Sequence, residues 1–563
     1  MSVAAPVAGH AVPLFGIVQW TMQLDNVTTN PWEAVNITLS LTPPPSAQPL
    51  YVPVKGYHHN GTEWRVRAAL TAVGGHTYAL RVTWRNASSG DTVTLHSSTG
   101  VVSCDAGAPA QPISAGHRGF LRPRFSSPPY RTAYDDGTLF NGFGLGDCLN
   151  PEYTFPTYNE TDGTQFNRSL AQYMDDYAGA GFNIFRWSDG NCAFSITEGL
   201  DGNPLGRHGW RDQGNAYNAG YCALVDDLFD SLRSHGFSTW AVVFDKANSR
   251  YPIFPNMNES TTRYHVAQRE AIARHLDFVV ARWGAQVDVW SLLNEQRADA
   301  NWYAYATAYL RSIDPYRHPI STSWDDHVNM TQIEIDSVHW YYSENTGNAD
   351  LAMATTTAQH LANGKPVYFT ESGNRAHNWD GDSHTRMRIR SWTALFVSAT
   401  LMWWNTAGTR SCSPCGGGNM YLGPTERGYQ KVLRTFADHM LDPAVQNVNV
   451  TATPNTTSGA AVRAYGLCGA GAGDSTVQGS SAGADRVYMA YVHHTDHNSA
   501  TQANVNFVTG SQACAAPGPG CSGFWVNPET GTTTAVSATA ATTGNFTTPP
   551  FSIDVALVLF CKK

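Results

Sequence analysis

Two glutamates stand where bond-breaking chemistry would need them. Glu295 closes the largely apolar run "VDVWSLLNE" directly behind Asn294, and Glu371 lies near the end of a second run, "PVYFTES". Comparable runs end on Arg186 in "NIFRWS", on His339 and Tyr341 in "SVHWYY", and on Trp403 and Trp404 in "ATLMWWN". Two carboxylates can divide the work of glycosidic bond cleavage, one protonating the leaving oxygen while the other acts at the anomeric carbon as base or nucleophile. Arg, Asn, His and Tyr supply groups that orient a carboxylate or a hydroxyl, and an indole offers a flat apolar face.

Taken singly, these residues have plainer readings. An Asn-Glu pair commonly opens a helix or lies in a solvated loop, and Arg186 fits a structural ion pair. Adjacent strand residues point to opposite faces, so only one of Trp403 and Trp404 can face a site. Trp187, Trp324 and Trp340 suit sugar stacking and ordinary packing alike. Cys412-x-x-Cys415 lies in a Gly-rich loop with no second Cys pair or His spacing beside it, which favours a structural disulfide over metal or redox chemistry. His58-His59 and His493-His494 read as surface histidines. Neither a metal nor a cofactor is expected.

The elements that must position these residues follow from the pattern. Eight strand-like runs begin near Leu139, Asn183, Thr239, Val287, Pro319, Ser337, Pro366 and Ala399. Helix-like segments such as "SLAQYMDDYAGAG", "CALVDDLFDSLRSHG" and "RYHVAQREAIARHLDFVVARWG" lie between them, the first two closed by a glycine. Such alternation over residues 138–440 is the pattern and size of a (β/α)8 TIM barrel, whose active site is built from the carboxyl ends of its strands. Residues 1–105 alternate apolar and polar positions between Pro, Gly and Asn turns, as a small β-sandwich does. A linker and hairpin are expected over 106–137, and a second β-sandwich over 441–563.

With the motifs in place, the chain resembles the retaining glycoside hydrolases of clan A, which include cellulases, β-mannanases and many β-galactosidases. "WSLLNEQ" is similar to that clan's strand-four segment, and the resemblance implies Glu295 as acid/base with Asn294 on the sugar 2-hydroxyl. "VYFTESG" is similar to the strand-seven segment and implies Glu371 as nucleophile. Arg186, His339, Tyr341 and a Trp at the end of strand eight match the supporting, substrate-binding positions. Strand three departs from the pattern, "VVFDKAN" offering Asp245 where a His often stands. The flanking segments resemble the immunoglobulin-like module and the β-sandwich that often accompany such barrels.

Composition narrows the class. Charged residues make up 14 % of the 563 residues, aromatics 12 %, and glycine contributes 50 positions, the profile of a folded multidomain chain. With 36 Lys and Arg against 45 Asp and Glu, a formal charge of −9 and no basic cluster, nucleic acid is not an expected partner. No apolar run reaches the roughly 18 residues that span a bilayer. Ten cysteines and eleven Asn-x-Ser/Thr sequons, at Asn26, Asn36, Asn60, Asn86, Asn159, Asn167, Asn258, Asn329, Asn449, Asn455 and Asn545, point to a secreted, disulfide-bonded glycoprotein carrying N-linked glycans. The opening "MSVAAPVAGHAVPLFG" lacks the features of a secretory leader. Cys148 with Cys192 and Cys514 with Cys521 are expected bridges. The stretch from Ser188 to Tyr221 is far longer than the usual barrel loop of about 2–6 residues, and with "TRSCSPCGGGNMYLG" it is expected to wall a pocket that favours attack at chain ends. Two functions follow: a retaining β-glycosidase, or a non-catalytic carbohydrate-binding or wall glycoprotein on a glycosidase barrel. Oligomeric state is left open.

Overall fold

The computed structural model describes residues 2–4, 11–25, 34–45, 47–85, 89–106, 118–124, 130–147, 152–153, 155–158, 164–189, 196, 217–244, 266–295, 298, 300–323, 329–342, 345–373, 381–404, 407–408, 421–442, 444–455, 461–470, 486–496, 500–508, 514, 517, 521–536 and 545–562. The chain divides into two compact units, one of Met1–Leu121, Leu149–Tyr153 and Phe185–Glu334, the other of Arg122–Cys148, Thr154–Ile184 and Ile335–Lys563.

Each of the eight apolar runs is a strand: β1 (Phe143–Gly146), β2 (Ile184–Ser188), β3 (Ser238–Phe244), β4 (Val289–Leu293), β5 (Ile320–Ser323), β6 (Ile335–Tyr341), β7 (Val367–Gly373) and β8 (Ala399–Trp403). They hydrogen-bond in chain order into a closed barrel, β8 returning to β1 in parallel through Phe143↔Leu401, Gly144↔Met402 and Leu145↔Trp403. A barrel strand is covered on both faces, so β2, β3, β4 and β7 are buried at every residue and read in the sequence as continuous runs rather than alternations.

The helices start and stop on local signals. Helix α1 (Leu170–Gly179) opens with a capping box between Ser169 and Gln172. It closes at Gly181, φ +88°, where the Gly181 N–H donates to Ala178 O (2.8 Å) and the Phe182 N–H to Tyr177 O (3.1 Å). Helix α2 (Ala219–Ser234) is capped by Asn218 and closes at Gly236, φ +81°, with the Phe237 N–H donating to Leu232 O at 2.9 Å. Left-handed glycine at these stops turns the chain sharply out of the helix towards β2 and β3.

Within the first unit, a four-stranded sheet (Ser2–Ala4, Ile17–Gln23, Glu63–Ala69, Tyr57–Asn60) and a five-stranded sheet (Ala11–Pro13, Thr92–Asp105, Gly74–Arg85, Val35–Thr42, Val54–Lys55) share one apolar core that includes Trp20, Ile37, Leu39, Val66 and Val82. A buried charge network joins this region to α2 and to α3 (Val266–Trp283). The Asp226 carboxylate accepts Arg282 Nε at 3.0 Å, Arg282 Nη2 at 2.8 Å and Trp283 Nε1 at 2.8 Å, and Arg67 of the four-stranded sheet lies 3.7 Å away.

In the second unit, the eight strands after residue 441 follow one hydrogen-bonded order, in which the strand Gln446–Pro454 pairs through residues 446–448 with Val462–Ala470 and then through 449–454 with Ala503–Val508. One strand serving two neighbours in succession lets both halves of the sheet line one core, including Cys468, Val505, Phe507, Phe546 and Leu557. Cys514 does not bridge to Cys521. Among the described residues the disulfides are Cys468–Cys514 and Cys521–Cys561. Register explains the second: Ser522 pairs with Phe560, so the preceding Cys521 lies across from Cys561 with Cα atoms 4.1 Å apart. Cys104 and Cys222 are buried free thiols, whereas Cys148, Cys192, Cys412 and Cys415 lie outside the described residues. His493 and His494, expected at the surface, are fully buried, because Arg486–His494 is an interior strand paired on both edges. The hairpin expected near 121–134 is present as a two-stranded sheet of Leu121–Arg124 and Arg131–Tyr134. Among the described residues no helix is long and apolar enough to cross a membrane.

Candidate active site

In the first unit, alternation along β2 turns Trp187 outward, edge-on against Phe229 and Trp283 at 5.5 and 5.7 Å, and Arg186 to the opposite face. Arg186 Nη2 donates to Asn294 Oδ1 at 2.7 Å, and both residues are almost completely buried. With Oδ1 engaged, Asn294 presents its N–H₂ end as donor. Glu295, the next residue, has φ +46°, a left-handed backbone that costs a residue with a Cβ about 1–2 kcal/mol. A hydroxyl compensates for part of that strain. The Glu295 N–H donates to Ser323 Oγ at 2.7 Å, and Ser323 Oγ donates in turn to Leu293 O at 2.9 Å. Ser323 ends β5 and is buried, so one side chain closes the turn that follows β4.

Behind the ends of β2 and β3, His275 is fully buried with Nε2 3.1 Å from Val243 O and Nδ1 3.3 Å from Tyr217 OH. Burial lowers its pKa to about 4. Asp189, just beyond β2, accepts the Ile196 N–H at 3.0 Å.

In the second unit, β7 carries a bulge. Val338 pairs with Phe369 but His339 with Glu371, and on the other edge Phe369 pairs with Leu401 but Ser372 with Trp403. The extra residue on β7 breaks the simple alternation and sets Glu371 opposite His339. Ser337 and Thr370 hydroxyls meet across the bulge at 2.6 Å, and Ser372 Oγ donates to Met402 O at 2.7 Å. The buried Glu371 Oε2 accepts Tyr341 OH at 2.7 Å and lies 3.3 Å from His339 Nδ1, so its carboxylate is held in one orientation by two residues of β6. Trp403 and Trp404 are both buried, Trp403 within β8 and Trp404 just past it with its N–H donating to Ser372 O at 2.9 Å.

The structure therefore brings Arg186 to Asn294, and His339 and Tyr341 to Glu371, at the carboxyl ends of strands of the barrel. Other aromatic candidates pack elsewhere. Trp340 stacks on Tyr342 at 5.5 Å and under Arg390, and Tyr217 stacks on Phe278 at 3.7 Å. Trp324, Asp245, Phe194, Trp210 and most of both long loops lie outside the described residues. Sequence reasoning passed over Ser323 and the bulge at Thr370. Ser323 had a usable signal, since it is the polar residue ending the fifth strand; the bulge had none.

No protein-family model matches the chain, and no curated protein matches it either. Solved structures do. A protein of Bacteroides vulgatus provisionally described as a glycoside hydrolase superposes with a TM-score of 0.63 at 14 % identity, covering 98 % of this chain and 99 % of that one. A second structure, named only as a glycoside hydrolase, superposes with a TM-score of 0.50 at 13 % identity over 79 % of this chain and 97 % of its own. At such identities the likeness concerns the fold.

Proposed function

We propose that this chain is a secreted retaining β-glycoside hydrolase acting by double displacement. The observation that carries this is the Glu371 carboxylate, buried at the end of β7 and held by Tyr341 and His339, in a barrel whose β4 ends in Asn294-Glu295 behind Arg186. The glycoside hydrolases that share the fold lend support.

In this mechanism Glu371 Oε attacks the anomeric carbon while Glu295 gives its proton to the glycosidic oxygen, so that the C–O bond to the leaving group breaks and a glycosyl ester forms on Glu371. Water then enters, Glu295 takes its proton, the water oxygen bonds to the anomeric carbon, and the ester bond breaks to restore the Glu371 carboxylate. Two inversions give net retention. Asn294 would donate to the sugar 2-hydroxyl, the Arg186 contact fixing which end of its amide faces the substrate. One of Trp403 and Trp404 would floor the sugar, and no cofactor takes part. The domains assigned to this enzyme are the barrel over 138–440 with flanks over 1–105 and 441–563.

Hydrolysis of a panel of aryl β-glycosides and β-glycans, with the anomer of the first product read by NMR, tests the reading. The expected product keeps the β configuration. Inversion overturns the mechanism, and binding to a glycan array without turnover favours the alternative, a carbohydrate-binding glycoprotein.

A further inference from the structure

Within the second unit, away from the strand ends that carry the carboxylates, a cavity of about 20 Å³ lies among the amino-terminal ends of β7, β8 and β1. Its lining includes Arg131, Thr132, Asn141, Ser398 and Thr400. Arg131 is only 7 % exposed and has no carboxylate partner among the described residues. Among the described residues its one hydrogen bond is from Nη2 to the neutral Asn447 Oδ1, long at 3.3 Å, on an oxygen that already accepts Ser398 Oγ at 2.9 Å. Arg131 Nε is buried without an acceptor. The residues preceding Tyr130 in the chain, "FSSPP", bring no acid.

A guanidinium stays protonated even where burial lowers its pKa to about 10, so this is a buried positive charge with no counter-charge among the described residues. Such a charge is costly unless an anion compensates it. The wall beside it suits one. Thr132 Oγ1 accepts Tyr368 OH at 3.0 Å and so keeps its own hydrogen to donate, and Thr400 also lines the space. A single water needs about 10–15 Å³ by the same measure, so the cavity takes a monatomic anion and is small for phosphate or sulfate.

We propose that this cavity is a chloride site in which the Arg131 guanidinium supplies the charge and the Thr132 hydroxyl a donor. Bound there, chloride ties the strand Arg131–Tyr134 to the segment before β1 and to the first residues of β7 and β8. The proposal is independent of the glycosidase reading, because its readout is stability rather than turnover.

Thermal unfolding of the whole protein in sodium chloride and in sodium gluconate, at matched pH and ionic strength, tests it. A ligand that binds only the folded state raises Tm saturably, here by a few degrees in chloride. Arg131→Met should remove that increment. Equal Tm in the two salts for the unsubstituted protein, or the same chloride increment in Arg131→Met, overturns the proposal. Should Arg131→Met fail to fold, a bromide-soaked crystal of the unsubstituted protein decides: an anomalous peak against the Arg131 guanidinium supports the site, and an empty cavity overturns it.

Discussion

Residue by residue, the two glutamates are held by unlike devices. Glu371 is fixed through its side chain by Tyr341 and His339, whereas Glu295 is fixed through its backbone by Ser323. Glu371→Gln should abolish turnover of every substrate, because an amide cannot form the glycosyl ester. Glu295→Gln should spare the first step for substrates with good leaving groups, which need little protonation, and burst kinetics on activated against unactivated aryl glycosides would read the difference. Equal losses on both substrate types would mean that the roles are reversed or wrong. Ser323→Ala leaves the strained Glu295 turn without its bridge. An acid displaced by a fraction of an ångström should lower kcat about 10–100-fold with little change in KM, and Ser323→Thr, which keeps a hydroxyl, should recover most of it. Wild-type kcat in Ser323→Ala would show that the turn holds itself.

Among the elements, the helix Ala349–Leu361 meets the strands Val462–Ala470 and Arg486–His494 through one carboxylate. Asp350 accepts Arg463 Nε at 2.7 Å, Arg463 Nη2 at 2.6 Å and Tyr465 OH at 2.9 Å, and its Oδ1 lies 3.0 Å from His493 Nδ1. Burial pushes the Asp350 pKa up, but the hydrogen bonds and charges of Arg463 and His493 outweigh it and hold the carboxyl below its ordinary value. A carboxyl depressed on folding contributes stability that is fully present above its unfolded pKa of about 3.9 and is lost as pH falls from there through the folded value. Asp350→Asn leaves the Arg463 guanidinium facing a neutral amide. Buried pairs broken on one side cost about 3–5 kcal/mol, and the partial exposure of Arg463 reduces the expected loss to about 2–4 kcal/mol at pH 7. Denaturant titrations of both proteins from pH 7 to pH 3 should show a constant gap down to about pH 4 that begins to narrow only below it, where the unfolded carboxyl takes up its proton before the native one, and a gap below about 1 kcal/mol at pH 7 would contradict this account.

For the molecule as a whole, the sequons can be compared with the surface. Asn36, Asn60, Asn167, Asn329, Asn449, Asn455 and Asn545 are all exposed, while Asn26, Asn86, Asn159 and Asn258 lie outside the described residues. Exposure at every described acceptor is what a secreted glycoprotein requires, since the glycan must stay in solvent. Expression through a eukaryotic secretory route should give a protein that loses mass in several discrete steps on partial digestion with peptide N-glycosidase. A mass equal to that of the bare chain would argue against secretion as the native route.

What the sequence determined by itself was whatever depends on short stretches of chain. The eight apolar runs became eight barrel strands, the glycines after α1 and α2 became left-handed stops, and the polar residues ending β2, β4, β6 and β7 stand at the carboxyl ends of one barrel, because periodicity and capping act within a few residues. What only the tertiary structure decided depends on register between distant segments. The bulge at Thr370 that sets Glu371 opposite His339 is a relation between β7 and both of its neighbours. The Ser323 bridge joins the ends of two strands, the Cys521–Cys561 pairing follows the alignment of Ser522 with Phe560, and the burial of His493 and His494 follows from strands laid along both edges of theirs. Hydrogen bonds and packing between such segments are set when the sheets close, and no local pattern in the chain encodes that register.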